Sequence, residues 1–451
     1  MTLARTDSAN LLPSAEALAR NAQLALDYAR AQGATQSEVS ISASRGLSVS
    51  VRKGEVESLE FQQDRDLGVT VYLGHRKGNA STGDLSDAGI RSAVAAALDI
   101  ARATGEDPSN GLADAELMAR AFPDLDLDHP WEIDADAAID LAAACEAAAF
   151  AADPRVQGSE GASVSSHRGR SLYANSHGFS GARLGTNHSL SCAVVAGSGE
   201  GMQRDYWYSS ARSASDLLSP QAIGHKAGSR AAARLGARKL DTRTVPVLFP
   251  TELARGLWGH LIGAMSGGVL YRKASFLVDR LGEAVCSDRV TLEQRPHVPR
   301  GAGSAAYDGE GVATVERPLV SAGVLQGWLL GSYSARKLGL QSTGNAGGVF
   351  NLFVKPGDDD FDALLRRMDR GLLVTELLGQ GVNLVTGDYS RGAAGYWVEN
   401  GQIAYPVEEL TIASTLQEMY KGIVAIGNDV DPLANTRTGS VLFDRMTIAG
   451  H

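Results

Sequence analysis

Cysteine is scarce in this sequence. The three present, Cys145, Cys192 and Cys286, lie far apart and form no C-x-x-C pair, which argues against a disulfide framework or a cysteine-rich zinc centre. Positive charge is also short: 42 Lys and Arg stand against 52 Asp and Glu, a net charge of −10. A general nucleic-acid binder neutralises phosphates with a basic surface, so no nucleic acid is expected as a partner, leaving room only for a local basic face. No uninterrupted apolar run reaches the roughly 18 residues of a membrane span. The most apolar helix is broken by Glu252, Arg255 and His260, and no membrane association is expected. The opening "MTLARTDSANLLPSAEAL" lacks an apolar h-region followed by a small-residue cleavage site. The expectation is a cytoplasmic, reduced protein.

What is present belongs to an ordinary globular protein, with 44% hydrophobic and 21% charged residues. At 451 residues the chain exceeds the roughly 250–300 residues one core supports, so at least two cores are expected. Residues 14–32 predict a helix with Ser14 as N-cap, a stripe of Leu18, Ala22, Ala25 and Ala29, and Gly33 as its stop. Four alternating runs follow, at 39–43, 47–51, 59–61 and 69–73, with turns read at "RKGE" (52–55), "QDRD" (63–66) and "RKGN" (76–79). A second helix is predicted over 86–104. The acidic, proline-marked stretch 106–135 reads as a linker. An Ala-rich helix over 136–152, strands to about 212 and a helix to about 235 come next. Hairpins are predicted around Asn400-Gly401 and within 319–330. The fold class is therefore α+β: an N-terminal two-layer unit of helices on an antiparallel meander (1–112), a middle β-rich domain with flanking helices (120–240), and a β-rich C-terminal domain with a few helices (241–451).

The segment "TELARGLWGHLIGAMSGG" (251–268) reads as a helix that could carry chemistry. Residues four apart share a helix face, so a metallopeptidase helix sets two histidines there. Around His260 the corresponding positions are Gly256, Leu257, Gly263 and Ala264, and Glu252 lies two turns away. Catalytic zinc takes three protein ligands, so the lone histidine reads as structural. Gly259, Gly263 and Gly267 recur every four residues. They predict a side-chain-free groove against which another element of the domain, or another chain, packs closely.

Other motifs are weak. "DLDLD" (124–128) lacks the Gly and Glu a calcium loop needs and reads as a solvated linker. Asp360 reads as the cap of "FDALLRRM". "SARK" (334–337) has no accompanying K-T-G, and "GAGSAA" (301–306) has no strand before it. "RAAARLGARKLDTR" (230–243) reads as the wet face of a helix. An alternative site could be assembled from separated residues, namely His167, His177 and His188 on neighbouring hairpins, giving an independent metal-dependent hydrolase.

Longer blocks carry more information. "GEVESLEFQQDRDLGVTVYLGHRKGNASTGDLS", "LYANSHGFSG", "SYSARKLGLQSTGNAGG", "TGDYSRGAAGYWVENGQIAYPVEELTIA" and "VAIGNDV" resemble the TldD/PmbA family, also called the modulator of DNA gyrase family, and its TldE (PmbA) branch. The resemblance implies a metallopeptidase assembly of TldD with TldE that degrades unfolded peptides and matures ribosomally made precursor peptides. It implies zinc in the TldD-like catalytic subunit, held by a His-Glu-x-x-x-His helix and a cysteine near the C-terminus. Anchored on "YRK" (271–273), those histidines fall on Gly259 and Ala264, and the glutamate on His260. A one-residue shift puts His260 at a ligand position and still restores neither the second His, the Glu nor the Cys. The resemblance therefore implies no catalytic residue, metal or cofactor in this chain. Its partners would be a TldD-like subunit and peptides, with self-association of the lone chain also compatible. The family's older name raises a third alternative, a regulator binding DNA gyrase or another protein.

Overall fold

A computed structural model describes residues 12–450; most of the stretch read for a secretion signal lies outside them. Helix α1 (Ala15–Ala31) starts where Ser14 Oγ accepts the Ala17 N–H at 3.2 Å, and it buries Leu18, Ala22, Ala25 and Ala29. Strands β1 (Gln36–Arg52) and β2 (Glu55–Leu73) are each continuous, where the sequence pattern predicts four short runs. The "QDRD" segment is no turn: Asp64 pairs with Ser44 and Gln63 with Arg45 in mid-ladder. Its polar side chains are exposed, and a ladder of backbone hydrogen bonds needs no apolar side chains to continue. The turn placed at 76–79 falls earlier, at Gly74 (φ +61°) and His75, so β3 (Arg76–Thr82) begins where a turn is expected. Helix α2 (Asp87–Ala103) follows, capped by Ser86.

Helix α3 (Ala135–Ala152), β4 (Val156–Asn175), β5 (Ser180–Ala196), β6 (Gln203–Ala211) and α4 (Pro220–Ala233) come next. β1 pairs with β4 from Glu38↔Asn175 to Val51↔Ala162, so the first six strands form one antiparallel sheet, β3-β2-β1-β4-β5-β6. Odd-numbered β1 residues from Val39 to Val51 face the helices: α1 and α2 cover one end, α3 and α4 the other. The opposite face is small and polar, with Ser40, Ser42, Ser44, Ser48 and Ser50 of β1 beside Ser163, Ser165 and Ser171 of β4.

The chain then runs through β7 (Arg243–Phe249), α5 (Thr251–Ala264), α6 (Gly267–Leu270) and β8 (Leu292–Gln294). It continues with β9 (Arg317–Ser321), β10 (Val324–Leu325), α7 (Ser332–Lys337), β11 (Leu352–Val354) and α8 (Phe361–Met368). β12 (Gly371–Leu378), β13 (Asp388–Glu399), β14 (Gln402–Thr415) and α9 (Leu416–Lys421) precede β15 (Ile423–Ile426), β16 (Thr436–Arg437) and β17 (Val441–Ala449). They build a six-stranded sheet, β14-β13-β12-β7-β17-β15, and a five-stranded one, β10-β9-β8-β11-β16, around a core containing Trp258, Trp397, Phe249 and Phe443. The Asn400-Gly401 hairpin forms as expected, both residues at positive φ (+53° and +70°). So does the β9–β10 hairpin. Mixed helix and antiparallel sheet, with a β-rich C-terminal part, make the fold α+β.

The stretch 106–135 keeps much of its polar surface in solvent but is strapped to the body of the protein. Asp126 pairs with Arg300 at 2.6 Å and Asp128 with Arg168 at 2.6 Å, while Leu112, Met118 and Leu125 are buried. The basic segment read as a wet helix face is wet only in part: Arg238 and Lys239 are exposed, while Arg230 and Arg234 turn inward. α4 ends at Ala233, Arg230 pairs with Asp205 (3.1 Å) and Glu252 (3.0 Å), and Arg234 pairs with Glu376. Arginine at helical spacing looks solvent-facing until another element brings its carboxylates.

Candidate functional site

Helix α5 opens after Pro250 and is fixed by its apolar face. Trp258 is fully buried and donates its indole N–H to Thr438 Oγ1 at 2.9 Å, and the Tyr420 hydroxyl donates to the Leu257 carbonyl at 2.8 Å. The opposite face is bare: a Cβ at Gly256 or Gly259 would meet nothing within 4 Å. His260 is half-buried, its ring edge-on to Tyr389 with centroids 6.1 Å apart. Burial, then nearby Arg391, pushes its pKa down, so it stays a neutral imidazole at pH 7. Ala264 is fully buried with only a methyl group. Glu252, two turns away, is engaged by Arg230.

Gly259, His260 and Ala264 thus offer one imidazole, one hydrogen and one methyl where the resemblance places zinc chemistry. Among the described residues, no group of three or more His, Cys, Asp or Glu side chains converges as a metal site would require. The zinc that the resemblance implies for the family's catalytic helix does not fit these side chains.

The glycine groove predicted along this helix is only partly present. The helix stops at Ala264, and Gly267 begins α6, where a Cβ would collide with Ser334 Oγ of α7. Gly263 approaches Leu384 (3.3 Å from a Cβ), while Gly259 has no close neighbour. Periodicity found the bare face; it could not say that half of it lies open.

The histidine trio does not assemble. His167 sits at mid-strand in β4 opposite Gly46, its ring where a Cβ of Gly46 would lie. His188, buried in β5, bonds Ser166 Oγ (3.0 Å) and the His129 carbonyl (2.9 Å), and burial lowers its pKa. His177 lies in the β4–β5 turn, 3.4 Å from Gln36 Nε2. His167 and His188 lie one register step apart but on opposite faces of the sheet, and His177 sits in the turn at the end of the β4–β5 ladder. "SARK" is equally inert: Ser334 Oγ donates to Gly331 O and Lys337 pairs with Asp107. Asp360 caps α8, accepting the Ala363 N–H at 2.7 Å.

Sequence reading missed a cleft of about 920 Å³ beside the edge strand β6, between α4, the first turn of α5 and the loop 429–436. Lys226, Arg230, Trp207, Arg255 and Leu433 line it. These residues are scattered over more than 200 positions of sequence, and no local motif marks them.

The comparisons agree on the family. The chain matches PmbA/TldA metallopeptidase domain 1 over residues 37–101, the central domain over 128–235 and the C-terminal domain over 242–450. It is 51% identical to Metalloprotease PmbA of Escherichia coli O157:H7 over 413 residues, 92% of each chain. Metalloprotease TldD homolog of Haemophilus influenzae is more distant, 26% identical over 202 residues, 41% of this chain and 42% of that one. A Bacteroides thetaiotaomicron VPI-5482 structure, named as a candidate modulator of DNA gyrase, superposes with a TM-score of 0.91 at 30% identity, covering 96% of this chain and 99% of that one. TldE from Thermococcus kodakarensis shares the fold, with a TM-score of 0.83 at 20% identity over 96% of this chain and 100% of that one. With three consecutive family domains spanning most of its length and half its residues shared with a PmbA protein, this chain belongs to the PmbA/TldA metallopeptidase family.

Proposed function

We propose that this chain is the non-catalytic, TldE-type subunit of a peptidase assembly. It pairs with a TldD-like zinc subunit in the cytoplasm and closes the chamber in which unfolded or precursor peptides are cut. The observation that carries this reading is the composition of α5. A zinc peptidase needs the ion to polarise the scissile carbonyl and to generate hydroxide near neutral pH, and with no donor on Gly259 or Ala264 the single imidazole of His260 falls short of the three protein ligands that hold it.

A second observation supports pairing. Among the described residues, 55–66 of β2 pair as strand only with β1, because β3 reaches just Leu67 to Leu73. On that outer half Val56, Leu59 and Phe61 are 48%, 44% and 64% exposed, and Leu59 and Phe61 stand opposite the buried Val49 and Leu47. An apolar face that continues past its helical cover along an open strand edge fits a subunit contact.

Zinc content and casein hydrolysis, measured for the purified chain alone and with a TldD-like subunit, test the reading. Metal and activity are expected only in the mixture, and light scattering should show a one-to-one complex. Stoichiometric zinc with hydrolysis by the lone chain would falsify it.

A further inference from the structure

The cleft beside β6 is lined by five cations and four carboxylates. Three of the cations are neutralised in place: Arg230 by Asp205 and Glu252, Arg255 by Asp431, and Arg300 by Asp126 and Asp216. Two are not. Arg212 donates only to the Thr186 and Ala302 carbonyls. Lys226 has no carboxylate within ion-pair distance among the described residues; its ammonium sits 3.5 Å from the centroid of the Trp207 ring. A cation resting on an aromatic face at a cleft wall is loosely held and can move to an incoming anion. Unmet hydrogen-bond capacity gathers at the same place. Of ten buried side-chain polar atoms without a partner among the described residues, four belong to this lining: Trp207 Nε1, Arg212 Nε, Arg255 Nε and Thr375 Oγ1. These four atoms are themselves enclosed behind the cleft surface, so the group left to receive an anion is the Lys226 ammonium.

The remaining lining selects the ligand class. With Arg230, Arg255 and Arg300 already paired to carboxylates, only Arg212 and Lys226 are left for an anion, too few for a cluster of phosphates, which disfavours nucleotides and nucleic acid. Leu218, Pro250, Phe361, Pro432 and Leu433 supply apolar wall. Consecutive β6 residues 207–211 form another side, and β6 is the last strand of its sheet, so among the described residues no further strand pairs with its outer edge. A single anion, a backbone able to hydrogen-bond and apolar side chains together describe a peptide terminus. The volume, at the upper end of the roughly 300–1,000 Å³ of small-ligand sites, accommodates a short segment.

We propose that this cleft binds the C-terminal end of an extended peptide, with Lys226 receiving the terminal carboxylate. The choice of a peptide rests on the function proposed above. The cleft's binding is nevertheless measured on the lone chain, without zinc or partner, so either reading can fail while the other stands. The probe is a short N-terminally labelled peptide with apolar last residues and no Asp or Glu, titrated as free acid and as C-terminal amide and followed by fluorescence anisotropy. The acid is expected to bind at least about tenfold tighter than the amide, the range of a charge-assisted hydrogen bond. Lys226→Gln should erase that preference and Lys226→Arg should keep it, with thermal melts confirming that both variants fold. The proposal is overturned if the acid shows no saturable binding, if acid and amide bind alike, or if Lys226→Gln still prefers the acid. It is equally overturned if an amidated peptide with an internal Asp binds as well as the acid, since the site would then read side chains.

Discussion

At position 259 the absence of a side chain has a measurable consequence. Glycine in a helix interior costs roughly 0.5–1 kcal/mol relative to alanine, and nothing lies within 4 Å of a Cβ built there. Gly259→Ala is therefore expected to stabilise the chain by about that amount, and Gly259→His to fold normally. Ala264→His should instead destabilise by more than about 2 kcal/mol, because an imidazole has no room in a fully buried methyl's place. Thermal melts of the three variants check this. An Ala264→His protein as stable as the parent would show that the metal-site geometry is still available. Asp308 makes a different statement. Buried and accepting N–H groups from Glu310, Val312 and Ala346, it has its pKa raised to about 6, desolvation outweighing those bonds. Unfolded, it would titrate near 3.9. Between those values the native state holds more protons, so this carboxyl's contribution to stability is greatest below about pH 4 and declines as pH rises through 6. At about 1.4 kcal/mol per unit the decline approaches 3 kcal/mol. Asp308→Asn cannot ionise, so its melting-temperature deficit should be larger at pH 4.5 than at pH 7.5; an equal deficit at both would contradict the raised pKa.

Among elements, helices α3 and α4 show what a glycine pair at i and i+4 does when a neighbour is present. Cβ atoms at Gly224 and Gly228 would run into the carbonyls of Cys145 and Ala149, so the two helices touch backbone to backbone. Gly224→Ala is expected to cost about 1–3 kcal/mol by forcing them apart, read as a lower melting temperature with no change in the β-sheet signal. The same spacing at Gly259 and Gly263 is what the sequence offers as a close-packing groove, and there one position is open. Glycine periodicity marks a face without a side chain; which helix is approached depends on elements over seventy residues away. The long β1–β2 ladder carries a similar lesson. Polar "QDRD" resembles a turn in composition, yet it lies on an exposed stretch of strand where alternation has no buried face to serve.

Across the whole molecule, the stretch 107–114 is tied to the C-terminal part by contacts concentrated on α7. Arg336 donates to the carbonyls of Ser109, Gly111 and Leu112 and pairs with Asp114. Asp107 is held well below the usual carboxylate range by Lys337, the Ser109 N–H and Tyr333. Arg336→Ala removes four acceptors' partner at once, and an earlier, broader melting transition is expected, with limited proteolysis cutting first within 106–135. Unaltered proteolysis would mean that the buried Leu112 and Met118 hold the strap unaided. Leu59→Asp belongs to the same scale. On an exposed strand edge it should leave the melting temperature within about 0.5 kcal/mol equivalent yet prevent co-elution with a TldD-like subunit; retained co-elution would move the contact elsewhere.

The amino-acid order by itself determined the helix starts at Ser14, Ser86 and Asp360, the Asn400-Gly401 hairpin and the α+β class, because caps, turns and periodicity act through residues a few positions apart. It also carried the family likeness and the missing donors on α5, since an absent side chain is absent in any fold. Only the tertiary structure decided that Arg230 and Arg234 are internal, that His167, His177 and His188 stay apart, and that Lys226 faces a cleft beside Trp207. Those outcomes depend on which distant strands and helices meet, and no local pattern encodes the meeting.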